Sequence, residues 1–421
     1  MTNHFQLSQQ TLDLAQQVQA GLADMFRHID EVAESNVQKV LSAFRNHRVG
    51  EVHFAGTTGY GYDDLGRDTL DKIYADIFHT EDALVRIQFV NGTHTIGASF
   101  FGVLRPGDKL VYVTGKPYDT IQTTLGISGN ESGNLRDWGI GYGQVELLED
   151  GSPDLPAIEK VLAEDKSIAA VVVQRSPGYS TRESLSVAQI GDICRLVHEK
   201  APGVAVLVDN CYGEFVEELE PTDVGADLVM GSLIKNPGGG LAPMGGYIAG
   251  KHELVEKIAA RLTVPGIGRE CGATLGNNRA MYQGLFMAPH TVAQALKTAV
   301  FCAGMMERLG FETRPNSAKL RHDIVQTIAF GEPEALKSFC RGIQAASPVD
   351  SYVTPEPWAM PGYDCDVIMA AGAFIQGSSI ELSCDAPMRE PYMLYLQGGL
   401  TYESGKAGIM LAVNEILKNR A

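Results

Sequence analysis

The chain has 421 residues, 44% hydrophobic and 20% charged, a composition that fits an ordinary globular protein with a large domain and a smaller one. Fifty-one acidic residues outnumber 34 basic ones, and the net charge of −17 disfavours nucleic acid and anionic membrane as partners. No apolar run approaches the roughly 20 residues that span a bilayer, the first residues lack a secretory pattern, and seven cysteines are scattered singly. Reduced thiols in a soluble, cytoplasmic protein are therefore expected.

Residues 8–47 space apolar side chains three and four apart with almost no strand formers, and predict a helical N-terminal segment over 1–50. The glycine- and tyrosine-rich "HFAGTTGYGYDDLGRD" that follows has the look of a loop. Short apolar runs then alternate with helical patterns. Strands are predicted in "LVRIQFV", "KLVYV", "IAAVVVQ", "VAVLVD", "ADLVMGS" and "GGYIAG", with an amphipathic helix in "AQIGDICRLVHEKAPG". Nearly all-apolar strands alternating with helices imply an α/β fold, a mainly parallel sheet covered on both faces. A long helical pattern, "TVAQALKTAVFCAGMMERLGF", leads to strands near "DVIMAAGAFI" and "SSIELSC". A large domain over 51–295 and a small α+β domain over 296–421 are expected.

In such sheets ligands sit beyond the carboxyl ends of the strands, so the residues found there matter most. In "NGTHTIG" a strand passes through Gly92 and Thr93 into a helix, and free amides opened by glycine make a phosphate nest. An ordinary strand–helix turn is the plainer alternative. Asp209 follows five apolar residues, where a carboxylate needs a partner or caps the next helix. Lys235 ends the next strand in "GSLIKNPGGG", where desolvation would lower its pKa and free the amine as a nucleophile; Ser232 could offer a hydroxyl to the same anion. The lysine precedes the glycines, so no phosphate-binding P-loop exists. One cofactor accounts for all of these: pyridoxal 5'-phosphate needs an amine for its aldehyde, an acid at its ring nitrogen and a phosphate cradle. Tyr118 in "VTGKPYDT" is the candidate to stack on its ring. The alternative for Tyr118 is a half-buried structural tyrosine.

The order of glycine nest, aromatic, Asp209 and Lys235 resembles the fold-type-I pyridoxal-phosphate enzymes. More narrowly, "FFGVLRPGDKLVYVTGKPYDT", "QRSPGYSTRESL", "PGIGRECGATLG" and "IELSCDAPMREPYMLYLQGGLTYE" resemble the aluminium resistance protein family, a methionine gamma-lyase-like and cystathionine beta-lyase-like branch. The resemblance implies a seven-stranded sheet and a lyase that breaks a carbon–sulfur bond by β- or γ-elimination. It implies that Lys235 holds the cofactor and then moves protons, that Asp209 pairs with the ring nitrogen, and that Gly92, Thr93 and Ser232 hold the phosphate. Tyr118 falls at the ring-stacking position. Tyr60 and Tyr62 occupy the segment that reaches a neighbouring subunit's phosphate site, in a homotetramer of intimate dimers.

The chain departs from the lyases on the substrate side. Glu381 stands where they carry the carboxylate-binding arginine, and Arg389 in "DAPMREPY" could offer its fork to that carboxylate instead, a surface arginine being the plainer alternative. Arg175, Ser176 and Tyr179 are polar at a strand end, with Arg175 a further substrate contact, and Arg269 is placed near the site's mouth. His79, His94 and Cys211 match no metal-ligand spacing, and no metal is expected. Aldol cleavage, racemisation or transamination with the same cofactor, or a non-catalytic cofactor-binding scaffold, are the rival readings.

Overall fold

The computed structural model describes residues 3–360 and 365–420, so the ends of the expected 1–50 and 296–421 segments, and four residues of the latter, lie outside the described residues. Helices Gln9–Gly21 and Ala23–Asn46 open the chain, the first capped by the Ser8 hydroxyl, which accepts from the Thr11 amide. The 8–47 pattern is thus two helices, interrupted at Leu22. The second packs on the long helix Asn278–Arg308, and Asn36 donates to the carbonyls of Phe215 and Glu217.

Seven strands form the first sheet: β1 (Asp82–Arg86), β2 (Lys109–Tyr112), β3 (Gly141–Gln144), β4 (Ile168–Gln174), β5 (Ala205–Asp209), β6 (Leu228–Ser232) and β7 (Gly246–Gly250). Their order is β1-β7-β6-β5-β4-β2-β3, and only β7 runs antiparallel to its neighbours. The inner strands β4, β5 and β6 are apolar up to their carboxyl ends, as strands covered on both faces are. Val171 and Val173 of β4 pack with Val206 and Val208 of β5 on one side, while Ala170 and Val172 meet Leu207 on the other. β3, "GYGQ", carries no apolar run and lies at the sheet edge, which is why periodicity passed over it.

A second sheet, wholly antiparallel, follows helix Asn278–Arg308: β8 (Glu312–Arg314), β9 (Gln326–Ala329), β10 (Trp358–Ala359), β11 (Asp366–Ala371), β12 (Ser383–Pro387) and β13 (Met393–Gln397), in the order β10-β11-β12-β13-β9-β8. Positions 295 and 296 lie inside the long helix, which packs on β8, β9 and β13 of the second sheet and on the second N-terminal helix. Of "SSIELSC", only the last two residues are in a strand. Val325, Met393 and Tyr395 of this half pack against Tyr179 and Tyr212 of the other, joining the two sheets over the strand ends.

Candidate active site

That junction encloses a cavity of about 340 Å³. Gly92, Thr93, Tyr118, Asp209, Ser232 and Lys235 all line it, each from a loop, a strand end or a helix N-terminus on the carboxyl side of the first sheet. Asn91 caps helix Gly92–Val103, its side-chain oxygen accepting from the His94 amide at 2.8 Å. A side chain at 92 would start 3.2 Å from the Ser232 Cβ, so glycine keeps the helix N-terminus open at the cavity wall. The Ser232 hydroxyl is buried without a hydrogen-bond partner.

Asp209 ends β5, and one of its oxygens accepts from the Cys211 amide at 3.2 Å. Burial pushes its carboxyl above the usual range, against the opposing pull of the Cys211 contacts and the Lys235 charge. Among the described residues it has no ion-pair partner. Lys235 lies three residues past β6, its Nζ 3.2 Å from the Ser379 hydroxyl and 3.6 Å from the centre of the Tyr212 ring. Burial pulls this amine down, but Tyr212, Cys211 and Asp209 outweigh it and the net direction is up. The depressed lysine expected from burial alone is therefore corrected: an acceptor-rich neighbourhood holds Lys235 as a cation.

Tyr212 escaped the sequence reading. Its φ of +73° is a conformation a bulky residue rarely adopts, and this geometry turns the ring under the Lys235 amine while the hydroxyl meets Ser379 at 3.2 Å. Nothing in "DNCYGEF" signals a positive φ at the tyrosine. Tyr118 stands where the sequence suggested, its backbone amide donating to Gln174 and its ring 6.1 Å from that of Tyr179. Ser176 and Tyr179 also line the cavity, along with Val325 just before β9 and Met369, Asp385, Tyr395 and Gln397 of the second sheet.

Several expected residues are not brought there. Arg175 is corrected: successive residues at the end of β4 face opposite sides, so Gln174 and Ser176 reach the cavity and Arg175 does not. Its guanidinium is fully buried on Asn210 (2.8 Å), the Gly213 carbonyl (3.0 Å) and Glu217 (2.7 Å). Arg389 is exposed in the turn between β12 and β13, and its charge reaches Tyr395, but it does not line the cavity. Glu381 accepts from the amides of Phe374 and Ile375 and fixes that loop. Arg269 is held by Asp82 and Glu256 rather than at the mouth, and these two carboxylates with His252 are the ligand-spaced cluster among the described residues. Tyr60 and Tyr62 stack at 5.4 Å on the surface, 71% and 56% exposed, and contribute nothing to this chain's cavity.

Pyridoxal phosphate fits this donor set. The Ser232 hydroxyl beside the open helix N-terminus is buried without a partner, and Asp209 has no ion pair among the described residues. A mainly parallel seven-stranded sheet with this lysine, aspartate and nest at its carboxyl ends defines a pyridoxal-phosphate-dependent enzyme of fold type I. The Escherichia coli pyridoxal-5'-phosphate-dependent protein YhfS shares the fold, with a TM-score of 0.63 at 17% identity over 93% of this chain and 97% of that one. The chain belongs to the methionine gamma-lyase family, whose profile matches residues 11–417. It is similar to the carbon–sulfur lyase involved in aluminum resistance from Clostridium novyi, with 52% identity, a TM-score of 0.94, and coverage of 97% of this chain and 96% of that one. Bacillus subtilis YnbB is 51% identical over 407 residues, 96% of each chain.

Proposed function

We propose that the protein is a pyridoxal-phosphate-dependent lyase that breaks the carbon–sulfur bond of a cysteine-, cystathionine- or methionine-like amino acid. The observation that carries this reading is the meeting of Lys235, Asp209, Ser232 and the Gly92 helix N-terminus in one cavity. When bound, the cofactor supplies an aldehyde that takes up amines and a ring that accepts the electron pair left at a substrate carbon. Lys235 would hold it through its amine and would move the proton at the substrate Cα. Asp209 would keep a proton on the ring nitrogen. The amides of Gly92 and Thr93 and the Ser232 hydroxyl would bind the phosphate, and Tyr118 would pack on the ring. Tyr212 and Ser379 aim the Lys235 amine. When the carbon–sulfur bond breaks, sulfur leaves with the bonding pair and takes up a proton as a thiol; water then releases a keto acid and ammonia.

We further place the enzyme in the cytoplasm as a homotetramer, with the exposed Tyr60–Tyr62 pair reaching a neighbouring subunit's phosphate site. Among the described residues, no helix is long and apolar enough to cross a membrane. The test is the visible spectrum of the purified protein with pyridoxal phosphate. A yellow band that borohydride fixes covalently at Lys235, with thiol and keto acid released from a sulfur amino acid, is expected. A colourless protein with no bound cofactor would overturn the reading.

A further inference from the structure

The second sheet's share of the cavity wall has an unusual charge. Asp385 of β12 lines the cavity, is only 7% exposed, and points its carboxyl at neutral donors: the Tyr179 hydroxyl and, at 3.4 Å, the Gln397 side-chain amide. Among the described lining residues there is no arginine, and the one lysine is Lys235, which sits on Ser379 and Tyr212. Glu381, the acid nearest in sequence, is turned to backbone amides and leaves Asp385 as the acid of this wall. A buried carboxyl with no ion-pair partner among the described residues is costly to ionise, and an arriving cation removes that cost.

Two parts of an amino-acid substrate cannot be that cation's source. The α-amine is taken by the cofactor aldehyde in the reading above, and the α-carboxylate is repelled by an acid. The charge must come from the far side of the sulfur. We infer that Asp385 determines specificity by pairing with an ammonium group on the sulfur substituent, so that the preferred substrate is a cationic thioether amino acid rather than a neutral one. This rests on the lyase reading above. Burial also pushes the Asp385 carboxyl up to about 7, so the acid is poised to ionise near neutrality when an ammonium arrives. The aromatic rings of Tyr179 and Tyr395, 4.9 Å apart beside it, suit the methylenes that carry such a group.

The experiment compares S-aminoethyl-L-cysteine with S-propyl-L-cysteine, alike in length and differing in the terminal charge, on the holoenzyme and on Asp385→Asn. Affinity is read from the change in the cofactor's visible absorption on titration, and cleavage from thiol release. The wild type is expected to favour the ammonium compound by about 10- to 100-fold in both. Asp385→Asn should lose that preference while keeping its affinity for the propyl compound. Equal handling of the two compounds by the wild type overturns the inference, as does an Asp385→Asn variant that weakens both alike. If neither compound is cleaved but the ammonium one still binds preferentially, the specificity stands and the lyase reading falls. Should the variant not fold, the wild-type comparison decides alone.

Discussion

The two halves of the cavity are built by different rules. On the first-sheet side each group stands at the end of a buried parallel strand or at a helix N-terminus, and the chain has little freedom there. On the second-sheet side, Asp385, Tyr395 and Gln397 project from two antiparallel strands, where alternation decides which side chain faces in. The first half holds the groups that a fixed cofactor demands. The second holds an acid where a lyase acting on neutral thioethers has no evident need of one. Cofactor chemistry constrains residue type narrowly, while substrate chemistry leaves it open.

The largest effect should therefore fall on the first half. Lys235→Ala is expected to abolish covalent cofactor attachment and lower kcat by more than about 1,000-fold, read from the spectrum and from thiol release. Asp209→Asn should cost about 100-fold in kcat and shift the cofactor band, because a neutral amide cannot hold a proton on the ring nitrogen. Tyr212→Phe keeps the ring under the amine and loses only the hydroxyl, so a drop of less than about 10-fold is expected, with a shift in the pH dependence of the band. A Tyr212→Phe variant as damaged as Asp209→Asn would show that the hydroxyl, shared with Ser379 beside the second sheet, matters as much as the strand ends.

Behind the first half lies a structural counterpart with its own pH signature. Burial pushes Glu214 up to about 8, while one oxygen takes the Tyr247 hydroxyl at 2.8 Å and the other has no partner. A carboxyl whose folded pKa is raised stabilises the fold most below its unfolded pKa of 4.5, and that stability is lost as pH rises through about 8. Glu214→Gln cannot ionise. Its melting temperature should hold between pH 4.5 and 8 while the wild type falls by a few degrees across the same window, measured by calorimetry. Parallel curves would mean that Glu214 is not the group that titrates.

How far each half was legible follows from the same contrast. The parallel sheet could be read because β4, β5 and β6 are apolar on both faces, and their ends delivered Asp209, Ser232 and Lys235. Arg175 misled because one residue of alternation separates the cavity from the buried network of Asn210 and Glu217, and a strand end does not announce which way it faces. Asp385 and Gln397 gave no signal: "SCDAP" and "LYLQ" are short, and the meeting of Asp385 with Tyr179 across many residues is a tertiary fact. Tyr212 depended on a positive φ that no local pattern required.

The smallest effect is expected at Arg389, and it bears most directly on the comparison. By resemblance an arginine close to this point in the chain should bind the substrate carboxylate. Here Arg389 is an exposed residue of the β12–β13 turn, four residues beyond Asp385, outside the cavity lining. An exposed charge outside the cavity lining contributes on the order of 0–1 kcal/mol to any one contact. Arg389→Ala should therefore change KM by less than about 3-fold at moderate salt, with the difference shrinking further as salt rises. A rise in KM of about 100-fold with kcat unchanged would mean that the turn folds over the bound substrate and supplies a cation to the second half. The acid at 385 would then have a partner of its own, and the contrast between the two walls would close.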